Sequence, residues 1–430
     1  MPIEPFSSVG LLVLAIFAVG ILLIILEVQI GMDKFKPALL MMSTVAVIGI
    51  YYFLTGEDPD RMKGFHLMQA ETKESLFALI AFMAFMWMIV EILNERNVFG
   101  ALSEFLMDRG LGPRGLFWAT GALAALLSPF ISSITTAMVF GRAVCGFSRD
   151  TRYTHLALCN IIVASNSGVW FIGTSTSLMV ILAGKIDIPS LLALLPASIG
   201  GWLLSAWVLQ TFYMGRVLRD GPVIDTHAPR EGMKPGGAEL AFVCALAIGG
   251  AVILNLKLQV DIEFALGSGL GFVALYIWWL KRKGIDVSLD VQLQKVEWST
   301  LMYYIGIITG MAALNHVGWL SYIAWLYEHE SPYLVNILLG LVSSIIDNNL
   351  LEAAAIMSNP PMNTDQWVLN AMMVGIGGSL TVVGSAAGVM AMSIEKTYTF
   401  GVHLRFLPAV LVNFFGALGI WYVQFEWLRA

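Results

Sequence analysis

Charge is scarce in this chain: only 13% of its 430 residues are Asp, Glu, Lys or Arg, against 58% apolar, and mean hydropathy is +0.77. That leaves too little polar surface for a water-soluble globule, so the chain reads as an integral membrane protein. Cysteine is scarce as well. Cys145, Cys159 and Cys244 stand at no disulfide or metal spacing and read as buried thiols, which excludes a disulfide framework. No run of like charge accompanies the net charge of -6, so a nucleic-acid surface is excluded. His66, His155, His227, His316 and His403 fall near loops and do not build a histidine relay. His-Glu-x-x-His, Gly-x-Ser-x-Gly and paired-aspartate motifs are missing, so an intramembrane enzyme is not expected, and no cofactor is implied. No Lys or Arg precedes the first apolar run, and this argues against a cleaved leader.

What is present is long apolar runs, each able to cross about 30 Å of hydrocarbon as a helix. Ten spans are expected, near 9–29, 37–55, 73–93, 154–183, 188–214, 238–256, 262–280, 298–314, 366–394 and 402–424. Two further stretches, 115–147 and 331–357, are broken in the middle by polar residues and read as re-entrant hairpins, which a membrane tolerates only where the broken backbone is buried or lines a cavity. With the N-terminus outside and both hairpins returning to their own side, the inside loops collect 18 of the 24 Lys and Arg residues. Both termini then lie outside. The order of elements repeats: two spans, a third, a short amphipathic segment (97–109, 317–328), a hairpin, a long span and a last span. The fold class is therefore an all-α polytopic membrane protein of two inverted repeats, 1–215 and 237–430, joined by a polar linker at 216–236.

Each long span carries its own interruption. In the first half it is Ala164-Ser165-Asn166-Ser167-Gly168 followed by Gly173-Thr174-Ser175-Thr176; in the second, Gly375-Ile376-Gly377-Gly378-Ser379 followed by Gly384-Ser385-Ala386-Ala387-Gly388. Four broken elements thus point at one midplane region. Within the second hairpin, Ile346-Asp347-Asn348-Asn349-Leu350-Leu351-Glu352 places an acid, two amides and a second acid inside an apolar run. A charge near the bilayer centre costs about 2.5 to 3.5 kcal/mol on insertion scales, so Asp347 requires a partner: a backbone turn, a proton, a bound cation or a residue far off in sequence. Free helix ends with a carboxylate suit a small cation or a proton. Ser132, Ser133, Thr135, Thr136, Asn166, Thr174, Thr176, Asn348, Asn349 and Ser385 are the neutral groups available to complete a shell, with Asp347 as the Na⁺ or Li⁺ ligand.

Plainer roles compete. Asn349-x-x-Glu352 fits a capping box, Ser132, Ser133 and Thr174 fit local backbone caps, and Gly377, Gly378, Gly384 and Gly388 suit close packing as well as unwinding. Glu27 and Glu91 fit ordinary interface positions at span ends, and Trp and Tyr near span ends read as interface belts.

Several motifs resemble the NhaD-type sodium/proton antiporters of the ion transporter superfamily. They are Leu26-Glu27 with Lys36-Pro37-Ala38-Leu39-Leu40, Glu95-Arg96-Asn97-Val98-Phe99, Leu116-Phe117-Trp118-Ala119-Thr120-Gly121, Ser128-Pro129 with Thr135-Thr136-Ala137, Asn160-Ile161-Ile162-Val163-Ala164, Ser343-Ser344-Ile345-Ile346-Asp347-Asn348, and Gly377-Gly378-Ser379-Leu380 through Gly384-Ser385-Ala386-Ala387-Gly388. The resemblance implies inverted repeats with re-entrant hairpin tips at an ion site, transport of Na⁺ or Li⁺ against protons in a bacterial inner membrane, contact with lipids, and a homodimer. Two departures stand out. Ser132-Ser133 replaces the family's Asp-Asn, and Gly173-Thr174 replaces its Gly-Asp, while Glu352 is an added acid. Asp347 and Glu352 together are the candidate replacement for the lost pair. The alternatives are an anion or small organic acid transporter of the same superfamily, or a membrane subunit that does not transport.

Overall fold

Helix starts along this chain are written as caps. Asp150 accepts from the backbone N–H groups of Arg152 and Tyr153, Ser7 accepts from Gly10, and Asn363 with Gln366 forms a reciprocal capping box. A computed structural model of the protein describes residues 3–55, 59–108, 111–148, 150–172, 174–217 and 232–428. Gly173, His227, Arg109, Arg149, Arg219, Arg230, Arg429 and most of the expected 216–236 linker lie outside the described residues.

Among the described residues there is no strand. In the first half the helices are α1 (Ser8–Ile25), α2 (Phe35–Thr55), α3 (Pro59–Glu95), α4 (Val98–Asp108), α5 (Pro113–Ile131), α6 (Ser133–Phe147), α7 (Thr151–Asn166), α8 (Ser175–Leu182) and α9 (Leu195–Val208). In the second they are α10 (Gly237–Leu258), α11 (Ile262–Arg282), α12 (Trp298–His316), α13 (Ser321–His329), α14 (Pro332–Val342), α15 (Asn348–Ser358), α16 (Thr364–Gly377), α17 (Ala386–Ile394) and α18 (Leu407–Tyr422). Eight helical segments of the described chain are long and apolar enough to cross a membrane, so the protein is all-α and polytopic.

Two expectations shift. The span expected at 73–93 is the end of a helix that begins at Pro59 and continues through a polar stretch to Glu95. Proline at the first helical position and a run of Met, Lys, Gln, Ala and Glu favour helix there, although hydropathy has no signal to offer. The first hairpin arm, α5, has 19 residues and is itself long enough to cross, whereas its counterpart α14 has 11 and reaches about half-way at 1.5 Å per residue.

Packing pairs the elements reciprocally. Helix α1 packs on α2 as α10 does on α11, and α5 packs on α7 as α14 does on α16. Across the halves, α2 packs on α12 and α11 on α3, while α6 meets α17 and α15 meets α8. The last spans, α9 and α18, pack on each other. At one polar end the buried Arg96 guanidinium fastens the halves together: its Nη2 donates to the Asp286 carbonyl at 2.8 Å and to Glu95 Oε1 at 2.6 Å, and Lys234 N–H donates to the Arg96 carbonyl at 3.0 Å.

The breaks fall where the polar residues stand, between Asn166 and Ser175 and between Gly377 and Ala386. Close approach holds them. A Cβ on Gly377 would lie 1.8 Å from the Gly340 carbonyl oxygen, and one on Gly168 would lie 2.0 Å from Ser128 Oγ. Gly377→Ala is therefore expected to cost about 1–3 kcal/mol through overpacking. Gly249→Ala in α10, where a Cβ meets nothing within 4 Å, is expected to be neutral or mildly stabilising. Thermal unfolding in detergent compares the two, and equal melting temperatures would contradict the close approach.

Candidate functional site

Four broken helices begin at one place. The residues preceding α6, α8, α15 and α17 are Ser132, Thr174, Asp347 and Ser385, and all four line a single cavity of about 300 Å³. An α-helix starts with N–H groups that lack intrahelical partners and carries roughly half a positive charge there, so four starts make the cavity wall a cluster of donors. Three of the caps hold their own helix. Ser132 Oγ accepts from Thr135 N–H at 3.4 Å, Ser385 Oγ from Gly388 N–H at 3.4 Å, and Asp347 Oδ1 from Asn349 N–H at 3.0 Å. Ser132 takes a positive φ of 71°, a strained conformation for a residue with a side chain, which lets the chain reverse between α5 and α6.

Only one of these caps is charged, and it is paired. Lys34 Nζ donates to Asp347 Oδ2 at 2.9 Å, across 313 positions of sequence. The ammonium also lies 4.5 Å above the Tyr303 ring. Both side chains are largely buried, with 21% of Lys34 and 11% of Asp347 exposed, in a setting where charges interact strongly. Glu27 and Glu297 line the same cavity, and Thr300 Oγ1 donates to Glu297 Oε2 at 3.1 Å. Among the described residues the cavity wall thus carries three carboxylates and one ammonium.

The sequence candidates divide into those at the wall and those behind it. Ser132, Ser133, Thr174, Asp347, Asn348, Asn349 and Ser385 line the cavity. Behind them, Thr136 Oγ1 donates to the Ser132 carbonyl at 2.7 Å, and Asn166 Nδ2 donates to Ser385 Oγ at 3.0 Å. Thr135 accepts the Ser132 hydroxyl at 3.2 Å, and Thr174 Oγ1 donates to Ser177 Oγ at 2.9 Å. Thr176 is buried against Gly375, and Gly384 packs on the carbonyls of Ser343 and Ser344. These residues shape the wall.

Glu352 departs from its expected cap. The N-cap of α15 is Asp347, two residues earlier than the Asn349 box requires, because the helix starts at Asn348. Asn349 instead receives the Ser175 hydroxyl. Glu352 is 0% exposed, neither of its oxygens has a hydrogen-bond partner among the described residues, and it is not part of the cavity wall.

Lys34, Ser175, Glu297, Thr300 and Tyr304 are wall residues that sequence reasoning missed, and Glu27, expected at an ordinary interface position, joins them. For Lys34, Glu27 and Glu297 the only local signal is a charge near a span end, and Ser175 stands in the first interrupted span. His403 is a further surprise: it is fully buried, its Nε2 faces the Ser379 carbonyl at 2.9 Å and its Nδ1 the Tyr398 hydroxyl at 2.7 Å. A carbonyl only accepts, so Nε2 carries the proton, and the imidazole secures the end of the first arm of the second broken span.

A family model described as citrate transporter matches residues 21–375. The Na(+)/H(+) antiporter NhaD of Alkalimonas amylolytica is 28% identical over 448 residues, covering 96% of this chain and 90% of that protein. The protein of the same name in Halomonas elongata is 29% identical over 440 residues, covering 95% and 87%. Sodium/proton antiporter 2 of Arabidopsis thaliana is 26% identical over 408 residues, covering 90% and 92%.

The two acids of α15 are expected to differ in what they do for stability. Asp347→Leu strands the Lys34 ammonium and should cost about 3–5 kcal/mol. Glu352→Leu removes a buried carboxyl without partners and should stabilise by about 1–3 kcal/mol. Thermal unfolding in detergent reads both, and a Glu352→Leu protein as unstable as Asp347→Leu would mean that Glu352 has a strong partner.

Proposed function

Because the chain belongs to the family described as citrate transporters, and within it to the NhaD-type sodium/proton antiporters, we propose that it is a secondary transporter exchanging a monovalent cation, Na⁺ or Li⁺, for protons. One observation carries the assignment of the site: four helix caps bound one cavity, and the only charged one, Asp347, already holds a cationic group. A carboxylate in that position offers a small cation a full negative charge in a setting of low dielectric. Asn348, Ser132, Ser133, Thr174 and Ser385 supply neutral oxygens around it. Thr135, Thr136, Asn166, Thr176 and Gly384 keep that wall in shape. Glu352 lies off the wall, so cation binding in this reading rests on Asp347 alone.

Transport needs the site to open to each side in turn. The reciprocal packing of α6 on α17 and of α15 on α8 supports two inverted repeats, 1–215 and 237–430, whose broken elements move as one body against the remaining helices. The excess of Lys and Arg in the inside loops supports both termini outside, and the bacterial relatives support a bacterial inner membrane.

The four helix starts also favour a second reading, transport of a carboxylate or another small anion. Charge weighs against it, since Glu27, Glu297 and Asp347 outnumber Lys34 at the wall.

Proteoliposomes with an imposed pH gradient test the two. Addition of Na⁺ or Li⁺ is expected to dissipate the gradient, and Asp347→Asn to abolish that response. Citrate uptake indifferent to Na⁺, with Asp347→Asn still active, would establish the anion reading instead. A wild-type protein that neither exchanges ions nor binds Na⁺ by calorimetry would remove transport altogether.

A further inference from the structure

In each half the first arm of the hairpin is tied to its broken span at two levels, and the pattern of ties repeats. Near the tips, Ser128 Oγ on α5 donates to the Ser165 carbonyl of α7, and Ser343 Oγ at the end of α14 donates to the Val374 carbonyl of α16 at 2.6 Å. Gly121 and Asn336 each stand seven residues before those serines, and each meets a buried amide of the same partner helix. Asn160 of α7 lies so close to Gly121 that a Cβ there has no room, and its Nδ2 donates to the Phe117 carbonyl at 2.9 Å. Asn370 Nδ2 of α16 donates to Asn336 Oδ1 at 2.9 Å, and Asn336 Nδ2 donates in turn to the Gln366 carbonyl at 2.9 Å. Asn160, Asn336 and Asn370 are all 0% exposed, and none of them lines the cavity.

Resting on the exchange reading above, we infer that Asn160 and Asn370 are positioning residues of the ion site: each fixes the register of a hairpin arm on its broken span, and so sets the spacing of the helix starts at the cavity. Asn160 joins the arm that ends beside Ser132 to the span that breaks ahead of Thr174. Asn370 joins the arm that leads to Asp347 to the span that breaks ahead of Ser385. Helices are stiff and closely packed, so a slip between two arms at the level of the amides is carried to the tips.

Three facts support a positioning role over plain packing. Apolar burial has no direction and leaves two arms free to slide, whereas an amide hydrogen bond holds one register. The two halves place an amide at the same level by different means: Asn160 reaches a backbone carbonyl over a glycine, and Asn370 reaches a side chain. In the second half the amide is present at a cost in stability, because Asn370 Oδ1 has no hydrogen-bond partner among the described residues. The remaining contacts of these amides lie on other helices. Trp202 Nε1 of α9 donates to Asn160 Oδ1 at 2.9 Å, and the Tyr327 hydroxyl of α13 donates to Asn336 Oδ1 at 2.7 Å.

The test uses the full-length protein, with Na⁺-driven exchange in proteoliposomes read as KM and maximal rate, beside thermal unfolding in detergent. Asn160→Ala and Asn370→Ala are expected to raise KM for Na⁺ by about tenfold or more, with the maximal rate within about twofold of wild type. Trp202→Phe and Tyr327→Phe each remove one hydrogen bond and leave the ties in place, so they should lower the melting temperature without moving KM. The triple variant Tyr327→Phe, Asn336→Leu, Asn370→Leu replaces the second-half cluster by apolar groups of similar size. It should unfold close to the wild-type temperature and still show the raised KM, which keeps the test open where an alanine variant fails to fold. A KM that follows the melting temperature across the set, or a triple variant with the wild-type KM, overturns the inference. If that happens while the wild type exchanges Na⁺ and Asp347→Asn is inactive, the exchange reading stands and only the positioning roles fall; an inert wild type fails the exchange reading, and the inference with it.

Discussion

A helix interrupted inside a membrane exposes N–H groups that no lipid can satisfy, and this protein interrupts four helices at one level. The rest of the structure follows from meeting that cost. Ser132, Asp347 and Ser385 turn their side chains back onto the first turns of α6, α15 and α17, Thr174 bonds onward into α8, and the reciprocal packing of α6 with α17 and α15 with α8 keeps all four starts around one cavity. Glycines allow the broken strands of backbone to lie against first-arm carbonyls, as Gly377 does on Gly340 and Gly384 on Ser343 and Ser344. The polar centre is therefore confined to a pocket, and the apolar surface is left for lipid.

Within that pocket a single ion pair sets the energetics. Removing one partner of a buried pair costs about 3–5 kcal/mol, because the remaining charge stays desolvated. Replacing one cationic partner by another avoids that cost, since the carboxylate never stands alone. A change of cationic partner at Asp347 would therefore cost less than emptying it. Lys34, tethered by the turn before α2, gives the carboxylate that partner from within the chain.

Much of this was legible in the residues, because its signals are local. Apolar runs gave the spans, Ser-Asn-Ser-Gly and Gly-Ile-Gly-Gly-Ser marked the interruptions, and the polar stretch around Asp347 marked residues that line the cavity. The failures concern long-range packing. Lys34 reads as one more inside-loop charge until the fold brings it to Asp347, and Glu27 fits an interface until the same fold encloses it. The Asn349-x-x-Glu352 spacing is a true capping pattern, but Asp347 is the better N-cap two positions earlier, and the helix starts there. Residues 59–72 were missed because hydropathy measures membrane preference, and a helix that leaves the membrane keeps its hydrogen bonds while losing that signal.

The departures from the antiporter pattern make sense together. Where the resembled family carries acids, this chain has Ser132 and Thr174, hydroxyls that serve the starts of α6 and α8 without adding charge. Two more carboxylates beside Asp347 would have to be matched by two more cations or protons, and one lysine could balance only one of them. With the hydroxyls in place, Asp347 and Lys34 are matched one to one at the caps, and Glu27 and Glu297 stand apart from the caps, on the turn after α1 and ahead of α12. With hydroxyls at two of the four helix starts, the one charged cap has its counter-ion within the chain.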